Sequence, residues 1–351
     1  NKAVLYLLDI QTGEIIKSFD TQVGSSSAPN GMSTPIPVDV DGDKVVDSIY
    51  AGDLQGNMWK IDVSGNTNQW DFEFKQGSIP KPFYIAKDSD DNTQPITAKP
   101  QVGVHPSGGV MVYFGTGQYF EENDHVLGNN PQVQTFYGIR DNGSQITNRA
   151  DLQVQEILYE QAGATFDNTG SSDFNFDIRI TSDTEVNYLS EDGWYMDLIP
   201  PPIDSESDSV AEGERVVSTP LLRAGRIIFA TLIPETDPCG WGGTSWLMEM
   251  DAVNGKRLET APFDINEDGY FDENDMFALF DTNGDGTIDI NDRINISGIR
   301  KYNLGIIKTP GVVNVGGDKE MKYVSGSSGN LESYSESSSD PSGRQSWRQL
   351  R

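Results

Sequence analysis

The chain has 351 residues, of which 36% are apolar and 10% aromatic, enough for two ordinary domains or one large all-β domain and too much for a disordered tail. Asp and Glu number 54 against 25 Lys and Arg, and a formal charge of −29 with no local basic cluster excludes phosphate backbones and anionic membrane surfaces as partners. No stretch approaches eighteen consecutive apolar residues, which excludes a membrane-spanning helix, and the lone cysteine, Cys239, excludes an internal disulfide framework and a thiolate metal cage.

Cys239 is either a free thiol or the partner of a cysteine outside this segment. The apolar run after Lys2 is too short for a secretory leader. A chain that enters a strand-like run within three residues of Asn1 reads as a piece excised from a longer protein, with any address label outside it.

Short apolar runs followed by Asp and then Gly recur in chain order: 4–8 with Asp9 and Gly13, 48–51 with Asp53 and Gly56, and 58–61 with Asp62 and Gly65. Further along come 111–115, 136–139 with Asp141 and Gly143, 226–232, 246–250 with Asp251 and Gly255, and 323–325 with Gly329. Strand, polar turn and returning strand is the unit of a propeller blade, so the predicted fold is an all-β propeller, with a pair of β-sandwiches as the alternative. Residues 87–93, 163–174 and 204–212 are expected to be surface loops, and 274–280 a turn or two of helix. The serine-rich run 325–339 reads as low complexity, and residues 345–348 as a closing strand paired with the opening strand near Tyr6.

Three stretches place oxygen-bearing side chains on alternate positions, the spacing that wraps a loop around one hard cation. In 39–47, Asp39, Asp41, Asp43 and Asp47 take positions 1, 3, 5 and 9, with the Val45 carbonyl at position 7. Four carboxylates in one turn repel each other, and a divalent cation is the natural compensation. Lys44 stands where a glycine is usual, so a looser turn is expected there.

The other two form a tandem insert over 264–292, expected to be dockerin-like or EF-hand-like. One loop carries Asp264, Asn266, Asp268, Gly269, Asp272 and Asp275, with the Tyr270 carbonyl at position 7. The next carries Asp281, Asn283, Asp285, Gly286, Asp289 and Asp292, with the Thr287 carbonyl. All-oxygen donor sets favour Ca2+ over transition metals, and six or more ligands per loop favour it over Mg2+. The expected load is one Ca2+ at 39–47 and two more at 264–292.

Catalysis lacks a comparable signal. His105 and His125 are the two histidines, neither in a nucleophile motif, and Gly-x-Ser-x-Gly, His-Glu-x-x-His and Walker sequences are absent. The chain is therefore read as a non-enzyme.

Several segments taken together carry a family resemblance. They are the 39–47 loop, residues 98–102 with Tyr113-Phe114-Gly115-Thr116-Gly117, the run Gly213-Glu214-Arg215-Val216-Val217, Pro238-Cys239 with residues 242–249, and residues 343–350. In this order they resemble the C-terminal domain of the PilY family, tip-associated biogenesis factors and adhesins of bacterial type IV pili. The resemblance implies one modified β-propeller of seven blades over 1–351, with 39–47 as the family's calcium site and 264–292 as a lineage-variable insert. It further implies a role in pilus assembly, in calcium-controlled extension and retraction, and in twitching motility and surface attachment.

The implied location is the bacterial surface, at the pilus tip or outer membrane. The implied partners are pilus tip or minor pilin components, with a host or abiotic surface engaged through regions outside this chain, and the isolated domain is expected to be monomeric. No Arg-Gly-Asp triplet, known in some members, occurs here. Two other readings share the motifs: a quinoprotein-like propeller dehydrogenase and a generic secreted calcium-dependent binding propeller. Against the first, there is one cysteine where those enzymes carry a vicinal pair, and the six tryptophans do not recur at a fixed period.

Overall fold

A computed structural model describes residues 1–165, 175–202, 207–237, 240–278, 284–316 and 319–338. The eight strands expected from the recurring apolar runs are present: Val4–Leu8, Ser48–Gly52, Asn57–Asp62, Val110–Gly115, Thr135–Asp141, Arg226–Ala230, Leu247–Asp251 and Lys319–Ser325. The Asp and Gly that follow the strands have a local reason. Asp9, Asp62, Asp141 and Asp251 each accept a backbone N–H two or three residues ahead at 2.6–2.8 Å. The glycine that follows each of them turns left-handed: Gly13, Gly65, Gly143 and Gly255 have φ between 66° and 92°.

Four sheets of three or more strands follow one another along the described chain. The first pairs Ile36–Val38, Ser48–Gly52, Asn57–Asp62 and Asp71–Phe72 in sequence order, with Tyr84–Ile85 added to Asn57–Asp62. The second runs Gln101–Val104, Val110–Gly115, Thr135–Asp141, Gly193–Asp197, and ends on Gln153–Gln155, paired in parallel. The third has six strands in the order Ile157–Thr165, Asn175–Thr181, Gly298–Arg300, Leu247–Asp251, Arg226–Ala230, Leu221–Arg223. The fourth is the meander Gly311–Gly316, Lys319–Ser325, Leu331–Ser337.

Consecutive sheets pack face to face through aromatic side chains. Phe19 of the opening hairpin meets Phe72 of the first sheet, and Tyr84 meets Tyr137 of the second at a 5.3 Å ring separation. Phe136 then stacks on Phe229 of the third sheet at 3.9 Å, and Phe176 reaches Tyr334 of the fourth at 6.4 Å. Gln101–Val104 lies beside both Ile36–Val38 and Leu221–Arg223, so the leading strands of three successive sheets gather on one side. This radial stacking is the arrangement of propeller blades.

Three expectations depart from the structure. Residues 274–278 are not an α-helix, and 279–280 lie outside the described residues: Glu273–Asp275 is a single 3-10 turn, Met276 is extended, and Phe277–Ala278 is a strand paired with Arg293–Ile294. The Asp275 carboxylate bonds back to the backbone of residues 265, 266 and 272, which stops the helix from propagating. The loop expected at 163–174 is strand at its start, since Ile157–Thr165 runs into it, and 166–174 lie outside the described residues. The serine-rich run likewise contains a strand, Leu331–Ser337, with Tyr334 and Glu336 buried. The expected closing strand at 345–348 and Cys239 lie outside the described residues.

Candidate metal centre

The first loop joins Ile36–Val38 to Ser48–Gly52, an antiparallel pair, so its two ends are held by the ladder. Inside it the acids organise the backbone. Asp39 accepts from the N–H groups of Gly42 (2.7 Å) and Lys44 (2.8 Å), Asp41 from Asp43 (3.0 Å), and Asp43 from Val45 (2.7 Å). Asp47 Oδ2 closes the loop by accepting from Val40 N–H at 2.7 Å. Carboxylate oxygens of Asp39, Asp41 and Asp43 lie within 4.8 Å of one another, and these three are the one such acidic group among the described residues. Three exposed like charges at that separation are mutually repulsive, and a hard divalent cation fits an all-oxygen donor set.

The looser turn expected at Lys44 is not found. Lys44 takes the left-handed conformation itself, φ 75°, matching Gly269 and Gly286 at the same loop position, both at 85°. Position 4 is left-handed in all three loops as well: Gly42, Glu267 and Gly284 have φ 82°, 54° and 76°. The bond from Lys44 N–H to Asp39 holds the residue in a region that an L side chain otherwise avoids.

The loop at 264–275 repeats the same bonds. Gly269 N–H donates to Asp264 Oδ2 (3.1 Å), Asp268 N–H to Asn266 (2.9 Å) and Tyr270 N–H to Asp268 (2.8 Å). Asp275 Oδ1 accepts from Ile265 N–H at 2.7 Å, as Asp47 does from Val40, so both closing acids grip the amide at position 2. Asp272 caps the 3-10 turn by accepting from Asn274.

Unlike the first loop, this one has a buried side. Asp264, Asn266 and Asp275 are 9%, 8% and 1% exposed, and Asp264 Oδ1 has no hydrogen-bond partner. Burial pushes the Asp275 carboxyl up to about 6 despite its backbone donors, and raises Asp264 as well. An orphaned carboxylate oxygen beside a second buried acid is the environment a cation relieves.

In the third loop Thr287 N–H donates to Asp285 (2.8 Å) and Asp289 N–H to Asp292 (3.0 Å). Asp281 and Asn283 lie outside the described residues.

Other features had no sequence signal. Lys322 is fully buried against Glu249 at 2.8 Å and touches Glu336, with Arg226 near Glu249 and Arg223 on Glu320, so a buried ionic cluster ties the fourth sheet to the third. Arg179 holds Glu214 and Glu160, and both Arg179 and Arg300 lie 4.3 Å from the centre of the Trp246 ring. Lys322–Glu249 and Arg223–Glu320 are paired across sheets, which no local pattern announces.

The stacked all-β sheets with acidic turns between strands define a propeller-type domain carrying cation-loop geometry. The family model described as the PilY1 beta-propeller domain matches residues 1–170. A type IV pilus biogenesis factor PilY1 homolog of Xylella fastidiosa is 38% identical over 72% of this chain, and PilY1 of Pseudomonas aeruginosa PAO1 is 32% identical over 79%. The crystal structure of the Pseudomonas aeruginosa PilY1 C-terminal domain matches with a TM-score of 0.75 at 26% identity, covering 96% of this chain and 67% of that one. The chain belongs to the PilY family and corresponds to its C-terminal β-propeller domain. It spans 17% and 25% of the length of those two full-length relatives. Among the described residues no helix is long and apolar enough to cross a membrane.

Proposed function

We propose that this domain is the calcium-binding part of a type IV pilus biogenesis factor and tip adhesin, and that Ca2+ in the 39–47 loop regulates pilus extension and retraction. The observation that carries this reading is the convergence of Asp39, Asp41 and Asp43 in a turn already shaped by their own backbone bonds. Side chains of Asp39, Asp41, Asp43 and Asp47 with the Val45 carbonyl would hold the ion. The bound ion neutralises the cluster and stiffens the turn between two blade strands.

A ligand biases two states only through a difference in its affinity for them, so the occupied loop belongs to the extension-supporting state and the empty loop to the one that permits retraction. The domain works at the cell surface on pilus tip or minor pilin components, through binding rather than catalysis, and is monomeric by itself. Twitching motility and surface attachment follow from that control.

Alanine at Asp47 in the source bacterium tests it. Surface pili should fall in cells with an active retraction motor and return to near normal when that motor is deleted. A lysine at the same position places a fixed positive charge in the loop and should give piliated cells that twitch poorly. Wild-type piliation and twitching in both variants, with calcium binding by the purified domain abolished, would reduce the loop to a structural staple.

A further inference from the structure

The 264–275 loop is built onto the fourth sheet. Asp264 N–H donates to the Ser335 carbonyl (3.1 Å), Ser337 N–H to the Pro262 carbonyl (3.3 Å), and Phe263 bridges Glu336. On the neighbouring strand Lys319 stands opposite Ser337. Its ammonium reaches over the loop into the space that a Cβ on Gly269 would fill, 6.0 Å from the Phe271 ring centre, and its charge acts on Asp264. Among the described residues Lys319 forms no ion pair within 4.0 Å. The unpartnered oxygen in the loop is Asp264 Oδ1, on a residue nine-tenths buried whose other oxygen is held inward by Gly269 N–H.

We propose that the 264–275 loop is a calcium site in its own right and that Lys319 is its tethered counter-ion, lying against the loop when the ion is absent and displaced when it binds. The donors are Asp264, Asn266 and Asp268 side chains, the Tyr270 carbonyl and the closing Asp275. Their oxygen-only chemistry suits Ca2+, and the site is independent of the 39–47 loop. A flexible ammonium is a monovalent stand-in that cannot coordinate. It softens the repulsion in the empty loop and competes with the incoming ion, which sets the affinity below that of an unguarded loop. The ion's arrival frees the Lys319 side chain at the start of the fourth sheet's central strand, so occupancy alters the charge at that end of the sheet as well as the loop.

The test is calorimetric titration of the full chain with Ca2+, in a background where Asp43→Asn and Asp285→Asn weaken the other two loops. One site should remain, and Asp268→Asn should weaken it at least about tenfold. Lys319→Met should tighten it by about three- to tenfold, with Lys319→Gln as a second neutral variant and Lys319→Arg within about twofold of the parent. Tb3+ luminescence sensitised by Tyr270 gives an independent readout of the same loop. No calcium uptake that Asp268→Asn diminishes would overturn the site. Uptake with an affinity unchanged in both neutral Lys319 variants would overturn the counter-ion while leaving the site. Neither outcome bears on the 39–47 loop, whose occupancy is read separately in a chain with Asp43 intact.

Discussion

Lys44 and Gly269 hold the same position in two separate loops and share one backbone conformation, φ 75° and 85°. A β-carbon makes that conformation unfavourable by about 1–2 kcal/mol, and glycine gives back part of the gain through the greater freedom of the unfolded chain. Lys44→Gly should therefore stabilise the calcium-free domain by about 0.5–1 kcal/mol. Denaturant melts in chelator, at salt high enough to screen the lost lysine charge, measure this. A destabilised variant would mean that the lysine side chain supports the loop in some other way.

Asp53 is fully buried and forms no ion pair among the described residues. It accepts instead from Asn30 Nδ2, Gln55 N–H, Asn57 N–H and Nδ2, and Trp59 Nε1, all at 2.8–3.0 Å. Asp53→Ala leaves those donors unsatisfied and should destabilise the domain by about 3 kcal/mol or more, far beyond an exposed Asp→Ala change. A thermal midpoint within one or two degrees of the parent would contradict it.

Asp47 is half-buried, and its described side-chain bond is to Val40 N–H at the turn. Asp47→Ala should lower calcium affinity at the first loop by about an order of magnitude or more while leaving the far-ultraviolet spectrum unchanged. Calorimetry with unchanged stoichiometry and affinity would remove Asp47 from the ligand set.

Metal withdrawal should show in hydrogen exchange. A chelator should raise exchange over 264–278 and in Leu331–Ser337, which shares backbone bonds with residues 262–264, while Arg226–Ala230 and Ser48–Gly52 stay protected. Equal protection with and without calcium would show that the insert orders itself without an ion.

His105 is 2% exposed, its Nδ1 accepts from Ser107 N–H at 3.1 Å, and its Nε2 has no partner. Burial first, and the Arg140 charge second, lower its pKa below the unfolded value of about 6.5. As pH falls below that value, the unfolded chain takes up the proton before the folded one does, so stability drops with acidification. Substituting His105→Gln should remove this component, and the stability difference between parent and variant should shrink from pH 7 to pH 5. A difference constant across that range would show that the folded imidazole titrates normally.

What the sequence disclosed was whatever is local. An Asp that bonds a backbone amide two residues on, with a left-handed Gly behind it, leaves a short written pattern, and so do alternating ligands in a loop. Leu331–Ser337 was opaque because its buried side carries Glu336, a charge made tolerable by Lys322 on the neighbouring strand. The helix expected at 274–280 was a misreading of Met276 and Phe277, because the bond from Asp275 to Ile265 depends on how the loop closes. Lys319 could not be found at all, since it comes to the Gly269 loop from the fourth sheet, fifty residues further along the chain.

The third sheet has one more property. Its chain leaves after Asp251 and returns at Gly298 on the adjacent strand, with Glu249 N–H bonded to the Ser297 carbonyl at 2.8 Å. Residues 252–297 are thus a detour that begins and ends at neighbouring points of one ladder. Recombination could lengthen, shorten or exchange such a detour without re-threading any strand, and a protein engineer could do the same. The cost of an ill-fitting replacement would fall on the fourth sheet, where Ser335 and Ser337 would lose their partners, and on the third, whose Ile178 and Leu247 pack in one core with Phe263 and Ile265.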